Sequence, residues 1–360
     1  MKITKQMLNG VSLVSLSRGP VAEHIINAAV TENRAAPTFS AFPHVGESVL
    51  NQFVFGGTRY HEAVTASMPP VIWPLTWLHG DGCSGEDLSG CQAYAISGPV
   101  VTPIRLDGTV VGMTYQDDDA VYCWLGGLLP ADSEACRSEQ AQSLFERMEE
   151  ALSQAKMTFC DTVRTWLFLE KLLDWYDDFN EVRTAFFDSR GVFDRRVPAS
   201  TGIGAANPAG AALAAAALAV KPLNDKVTIT PQPSPLQCPA TDYRSSFSRA
   251  MEIAYPDRRQ LYISGTASIG PDGRSLHLDD VDKQIDLTMR VVEALLLSRE
   301  MSWSDVVRAI AYFKNMSDSP RLARYCRGHN IPAFPTAFSH AVVCRHDLLF
   351  EIELDAVVPV

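Results

Sequence analysis

Residues 142–170 align without gaps on residues 286–314, a constant 144 positions further along, and this repeat limits what the chain can fold into more than any other feature. Met157 falls on Met301, Phe159 on Trp303, Asp161 on Asp305, Val163 on Val307 and Arg164 on Arg308. Ala141, Phe145, Met148 and Leu152 recur at the spacing of one helix face, and Ile285, Met289, Val292 and Leu296 stand at the same offset, so the two helices bury equivalent stripes. Upstream, residues 120–127 parallel 260–267; downstream, Val197-Pro198 parallels Phe334-Pro335. A period this long means a duplicated domain, since solenoid repeats are a few tens of residues long. Strand-like runs at 100–105, 109–115 and 120–125, with a turn at Asp107-Gly108, precede a helix at 140–155, a strand at 162–169 and a helix at 173–187. The repeated unit is therefore α+β.

This reading divides the chain into an N-terminal extension with some β structure (1–92), a first copy (93–220), a Pro-rich linker (221–238) containing Thr230-Pro-Gln-Pro-Ser-Pro235, and a second copy (239–360). The Ala-rich run 211–220 reads as strand or helix. The extension carries turn-rich stretches at Pro69-Pro70 and 79–85, apolar runs at 11–16 and 25–30, and an aromatic segment, Trp73-Pro-Leu-Thr-Trp77, that fits packing against the main body. A chain of 360 residues, 46% hydrophobic and 20% charged, is long enough for two domains. Its net charge of -11 and the lack of a Lys/Arg run exclude a general nucleic-acid binder and favour a small-molecule partner. With no run long enough to span a membrane and no signal-like N-terminus, a cytoplasmic protein is expected.

The eight cysteines, Cys83 among them, form no C-x-x-C pair, and the eight histidines show no H-x-x-x-H spacing. Cys326, His329, His340, Cys344 and His346 gather late in the chain without the short paired spacings of a zinc site, so neither metal nor cofactor is expected.

Residues 341–358 combine a buried-strand pattern with acid, thiol and base. Alternation puts Glu351 and Glu353 on one face and Phe350, Ile352 and Leu354 on the other. Two carboxylates on one strand face are either solvated or held in a cleft, where one could donate a proton.

The second copy resembles the reactive-intermediate deaminase family, a fold shared with the bacillus-type chorismate mutase. The residues that carry this are Leu261-Tyr-Ile-Ser-Gly-Thr-Ala-Ser-Ile269, Asp305-Val-Val-Arg-Ala-Ile310, Phe334-Pro335 and Phe350-Glu-Ile-Glu353. The resemblance implies that Ser264, Gly265 and Glu351 line a ligand site. The arginine which that family sets after Phe-Pro is replaced by Thr336-Ala337-Phe338, against an imine deaminase.

Over residues 100 to 355 the chain resembles a narrower family, the chorismatases, through Val163-Arg-Thr-Trp-Leu-Phe168, Trp175-Tyr176, Phe179-Asn180, Pro198-Ala-Ser-Thr-Gly-Ile-Gly204, Phe247-Ser-Arg249, Ser264-Gly-Thr-Ala-Ser268 and Cys344-Arg-His-Asp-Leu-Leu-Phe-Glu-Ile-Glu353. The resemblance implies two tandem deaminase-like domains, the first degenerate, acting on chorismate. Glu351 is the expected proton donor and Cys344 a second catalytic residue, whose spacing resembles the subtype that releases 3-hydroxybenzoate and pyruvate. The alternatives are hydrolysis to a dihydroxycyclohexadiene carboxylate, an imine deaminase, and a non-catalytic metabolite binder of the same fold. Tyr243, Arg249, Arg308 and Arg345, with Ser264, Gly265, Thr266 and Ala267, are the expected substrate contacts, because two carboxylates call for forked cationic donors. Counting from Pro198 as Pro335 counts to Glu351 reaches Ala214, so one working site per chain is expected. A monomer or small homo-oligomer is anticipated.

Overall fold

The computed structural model describes residues 1–8, 10–29, 48–58, 61–67, 71–79 and 88–360; the stretches at Pro69-Pro70 and 80–85, Cys83, and the end of the run 25–30 lie outside them. Among the described residues, eighteen strands form three six-stranded sheets. The first holds β1 (Lys2–Leu8), β2 (Val11–Arg18), β3 (Val21–Ala29), β4 (Ser48–Gly56), β5 (Leu75–Leu78) and β6 (Leu88–Ser97). The second holds β7 (Thr102–Leu106), β8 (Thr109–Gln116), β9 (Ala120–Leu128), β10 (Thr162–Leu169), β11 (Ala199–Gly204) and β12 (Leu213–Pro222). The third holds β13 (Thr228–Gln232), β14 (Ala250–Ala254), β15 (Arg258–Ala267), β16 (Val306–Phe313), β17 (Thr336–His340) and β18 (Phe350–Pro359). The helices among the described residues are α1 (His61–Ser67), α2 (Arg137–Gln154), α3 (Tyr176–Ser189), α4 (Val281–Ser298) and α5 (Ser319–Gly328).

The α+β class stands, with one more unit than the sequence suggested. Each sheet runs in the order first, second, third, sixth, fourth, fifth, with the fifth strand parallel to the fourth and every other pair antiparallel. The described strands of residues 1–97, where an extension over 1–92 was expected, form a third sheet of this order. The fourth strand of each sheet also carries a register shift at the same place: between Val49 and Asn51, between Thr162 and Arg164, and between Val306 and Arg308. That shared bulge fixes a three-way alignment in which Asn51, Arg164 and Arg308 correspond. On the sixth strands Gly90, Ala214 and Glu351 then correspond, as do Gln92, Ala216 and Glu353.

The expected boundary after residue 92 falls inside β6, and that after 220 inside β12. The expected linker contains β13, an edge strand paired with β14, where Pro231 costs no ladder bond to a second neighbour. The Ala-rich run is β12, an interior strand whose small side chains let helices and neighbouring sheets approach closely. We propose units of 1–97, 102–222 and 228–359.

The sheets close head to tail. The fifth strand of each packs on the third strand of the next: β5 on β9, β11 on β15, and β17 on β3. Leu16 and Phe53 from the first sheet, Trp124 and Trp166 from the second, and Val307 and Ile310 from the third share one central apolar cluster. Outside that ring, α2 and α3 cover the second sheet through Phe145, Phe179 and Phe186, and α4 covers the third through Ile285, Met289, Val292 and Leu296. The two equivalent helix stripes of the repeat thus do equivalent work. No described helix is long and apolar enough to cross a membrane.

Candidate active site

The alternation in β18 sets Phe350, Ile352 and Leu354 against the helices and turns Glu351, Glu353 and Asp355 toward the junction between sheets, all three acids buried. They are not a solvated face, and they have different neighbours. Glu353, fully buried, accepts from Arg164 Nη2 at 2.7 Å and Trp166 Nε1 at 2.7 Å, and also from Arg308 and the Thr201 hydroxyl. Burial opposes its charge, but the guanidinium of Arg308, then that of Arg164, hold its carboxyl below the usual range. Asp355 accepts from Arg308 Nη1 at 3.2 Å and from Tyr94 Oη at 2.6 Å. Residues of all three sheets therefore meet in one buried ionic cluster.

Glu351, two positions earlier, is outside that cluster, and among the described residues no arginine pairs with it. It is 4% exposed, and burial first, then the charge of Glu353, push its carboxyl up to about 8, against the weaker pull of Arg164 and Arg249. Gly265 makes room for it: a Cβ there would overlap the Glu351 carboxylate and lie 3.3 Å from Thr201 Cγ2. A register shift between Ile263 and Thr266 bulges β15 at this point, and Thr201 Oγ1 accepts from the Gly265 N–H at 3.1 Å while donating to Glu353. Thr201 thus ties the bulge to the ionised acid.

Glu351 opens into a cleft of about 220 Å³ between the second and third sheets. The second unit supplies Tyr176, Asn180 and Arg183 from α3 and Ser200 and Gly202 from β11; the third supplies Tyr243, Arg249, Gly265, Ala267, Cys344 and Arg345. A wider vestibule shares Tyr176, Asp177, Cys344 and Arg345 with it and leads to solvent. Three guanidinium groups line the cleft, and among the described residues none has a carboxylate partner. Arg249 donates through Nε and Nη2 to the Cys238 carbonyl at 3.0 and 2.8 Å, Arg345 donates to the Gly273 carbonyl at 2.8 Å, and both sit 5.3 Å from the Tyr243 ring. Arg183 is buried over the Phe179 ring and bonds the Asn180 side-chain oxygen. Three such cations in a chain of net charge -11 make a receptor for an anion with more than one charge. Burial, and then the charge of Glu351, push the Cys344 thiol up to about 12, so it is a neutral S–H group.

A family model described as endoribonuclease L-PSP matches residues 240–358. A 3-hydroxybenzoate synthase of Streptomyces hygroscopicus is 28% identical over 272 residues, covering 67% of this chain and 75% of that protein. A chorismatase of Streptomyces rapamycinicus is 27% identical over 213 residues, 53% of this chain and 62% of that one. A chorismatase crystal structure superposes on 94% of this chain and all of its own, with a TM-score of 0.69 at 19% identity, which shows a common fold. The chain is thus similar in sequence to these enzymes and shares the chorismatase fold.

Of the residues the sequence singled out, Glu351, Cys344, Tyr243, Arg249, Gly265, Ala267 and Arg345 line the cleft. Ser264 and Thr266 do not: on the bulge, Ser264 Oγ accepts from the Ser200 N–H at 2.9 Å and bonds the Ser248 carbonyl, while Thr266 donates to the Ser264 carbonyl at 2.8 Å. Ser264 thus ties the third sheet to β11 of the second, while Thr266 closes the bulge within its own strand. Arg308 is a correction: it is engaged by Glu353, Asp355 and Gln92 in the central cluster and does not reach the cleft. Its match to Arg164 in the repeat already pointed to a shared structural role. Arg183 was missed as a site residue; Ser200 and Gly202, read in the sequence as part of the Pro198–Gly204 motif, also line the cleft. Arg183 lies seven positions after Tyr176, on the same α3 face, a spacing that could have suggested it.

Proposed function

We propose that this cleft cleaves the enolpyruvyl ether of chorismate and releases pyruvate with 3-hydroxybenzoate. The observation that carries the reading is a carboxyl kept neutral near pH 7 at the wall of a cleft lined by three arginines that have no carboxylate partner among the described residues. Chorismate has two carboxylates, for which Arg183, Arg249 and Arg345 are the available donors, with Tyr243 and Tyr176 able to add hydroxyl bonds. The names of the homologues support the same substrate.

The chemistry follows from the neutral acid. Glu351 gives its proton to the methylene carbon of the enolpyruvyl group, and the ether carbon becomes an oxocarbenium centre whose charge the new carboxylate stabilises. A general acid so placed contributes roughly 10²- to 10⁴-fold in rate. If the neighbouring ring hydroxyl displaces the pyruvyl oxygen, the ring C–O bond breaks, the epoxide-like ring aromatises by loss of a ring proton, and substrate equals 3-hydroxybenzoate plus pyruvate with no water consumed. If water attacks the oxocarbenium carbon instead, the bond between that carbon and the ring oxygen breaks, and the ring keeps both oxygens as hydroxyls. Cys344, neutral and weakly hydrogen-bonding beside Glu351, keeps water from that position, which favours the first course.

Incubation with chorismate, coupled to enzymatic reduction of pyruvate, tests the activity, and the mass of the ring product reads the course. Absence of pyruvate release overturns the reading. A product heavier than 3-hydroxybenzoate by one water replaces the aromatising course with hydrolysis.

A further inference from the structure

The head-to-tail ring creates an equivalent cleft where the third sheet meets the first, bounded by β17 and α5 on one side and β1 to β3 on the other. Its volume is about 590 Å³, within the usual size of small-ligand sites. It has no acid corresponding to Glu351, because the register puts Gly90 at that position. Leu322, Ile331, Phe334 and Phe338 give it an apolar floor.

Its buried polar wall is Ser12 and Asn27; Asn27 is 6% exposed, and its Nδ2 has no hydrogen-bond partner while it borders the cleft. Which end of the amide faces the cleft is dictated from the centre of the molecule. Arg308 can only donate, so Gln92 must give it Oε1 and turn Nε2 outward. Asn27 meets that N–H with Oδ1, at 2.6 Å, and is left presenting a donor. The cations bordering the cleft are Lys5, whose ammonium also donates to the Ser304 and Val306 carbonyls at 2.6 and 2.8 Å, and Arg327, exposed and without an ion pair among the described residues. Among the described residues no Asp or Glu lines it, in a chain with 42 acidic and 31 basic residues.

We propose that this third cleft is a second small-molecule site that takes an amphipathic carboxylate, with a ring or short chain on the apolar floor and the carboxylate held by Asn27 Nδ2 and Arg327. The site is independent of the chemistry at Glu351. An unpaired buried donor, two cations and an apolar floor suit an anion with an apolar body; an alcohol lacks the charge, and an amine would meet like charges.

Cys326, half-buried in this cleft, provides a local readout. The full-length protein is alkylated slowly with iodoacetamide, and peptide mass spectrometry follows Cys326 and Cys344 separately. Millimolar benzoate slows modification of Cys326, whereas benzyl alcohol and benzylamine do not. Arg327→Ala weakens the benzoate effect about tenfold, the scale of one charge-assisted bond. Asn27→Asp, nearly isosteric and still an acceptor for Gln92, abolishes it. Pyruvate release by Arg327→Ala is unchanged. The proposal is overturned if benzoate leaves the Cys326 rate unaltered, if benzyl alcohol protects equally, or if Arg327→Ala retains full protection.

Discussion

Replacing Glu351 with Gln makes the protein more stable while it removes the activity, and the size of that gain follows from the carboxyl's surroundings. An ordinary glutamate, with a pKa of 4.5, is neutral in only about 0.3% of molecules at pH 7, whereas a carboxyl at about 8 is neutral in about 90%. The folded state therefore binds a proton that the unfolded chain has already released. Stability contributed by that proton is fully present below pH 4.5, declines as pH rises, and is gone above pH 8. Relative to a group with no shift, wild type is penalised by about 3 kcal/mol at pH 7 and by almost nothing at pH 4. The amide introduced by Glu351→Gln is neutral in both states and escapes the penalty. Thermal or denaturant unfolding of both proteins at pH 4, 7 and 8.5 should show the variant gaining several degrees at the two higher values and nothing at the lowest. Pyruvate release falls roughly 10²-fold or more at every pH. In wild type, turnover falls about tenfold per pH unit above pH 8, as the proton donor ionises. Equal stability of the two proteins at pH 8.5 would refute the reasoning, because ionising Glu351 in the cleft would then cost nothing and its carboxyl would not be raised above the ordinary range.

Glu353→Gln leaves Arg164 and Arg308 short of their shared carboxylate and costs about 3–5 kcal/mol in denaturant unfolding; in the surviving folded enzyme, the loss of its charge moves the alkaline limb of the pH profile downward. Arg183→Met, which keeps the packing on Phe179 but removes a cation, raises KM for chorismate by about tenfold or more with a smaller change in kcat. Gly265→Ala pushes the Glu351 side chain from its place and lowers kcat about as much as removing it does, with secondary structure retained in circular dichroism. Cys344→Ala shifts the product, read by chromatography, from 3-hydroxybenzoate toward the dihydroxydiene; an unchanged product ratio removes Cys344 from the reaction course.

Much of the second and third units was legible because their helices repeat an apolar stripe at one offset, and because β10 occupies Thr162–Leu169 as its residues suggested. The first unit was not. Its residue at the Arg164 and Arg308 position is Asn51, Gly90 replaces the acid, and β4 is buried along nearly its whole length, so neither alternation nor a marker residue survives. Fold topology tolerates such changes, since register and bulge position rather than side-chain identity define the sheet. Glu351 was legible from strand alternation, but the separation of its protonation from that of Glu353 was not. That depends first on Arg308 and then on Arg164 and Thr201, the last two 189 and 152 residues away from Glu353 in the chain. Arg308 misled because a strand arginine beside a motif looks the same in sequence whether it faces a ligand or an ionic cluster.

The ring of three sheets lies in one covalent chain, and this changes what mutation can do at its centre. In an assembly of three identical copies, any substitution near the axis is made three times, and three arginines facing one another would repel. Here the axial positions read Asn51, Arg164 and Arg308 on one layer and Gln92, Ala216 and Glu353 on the next, a combination that exact symmetry forbids. Glu353 bonds both guanidiniums and Asp355 supplies the second negative charge, a balance that holds because only two arginines are present. Each junction is also free to drift alone, so one can keep its proton donor while another loses it, and dilution cannot separate the walls of any of them.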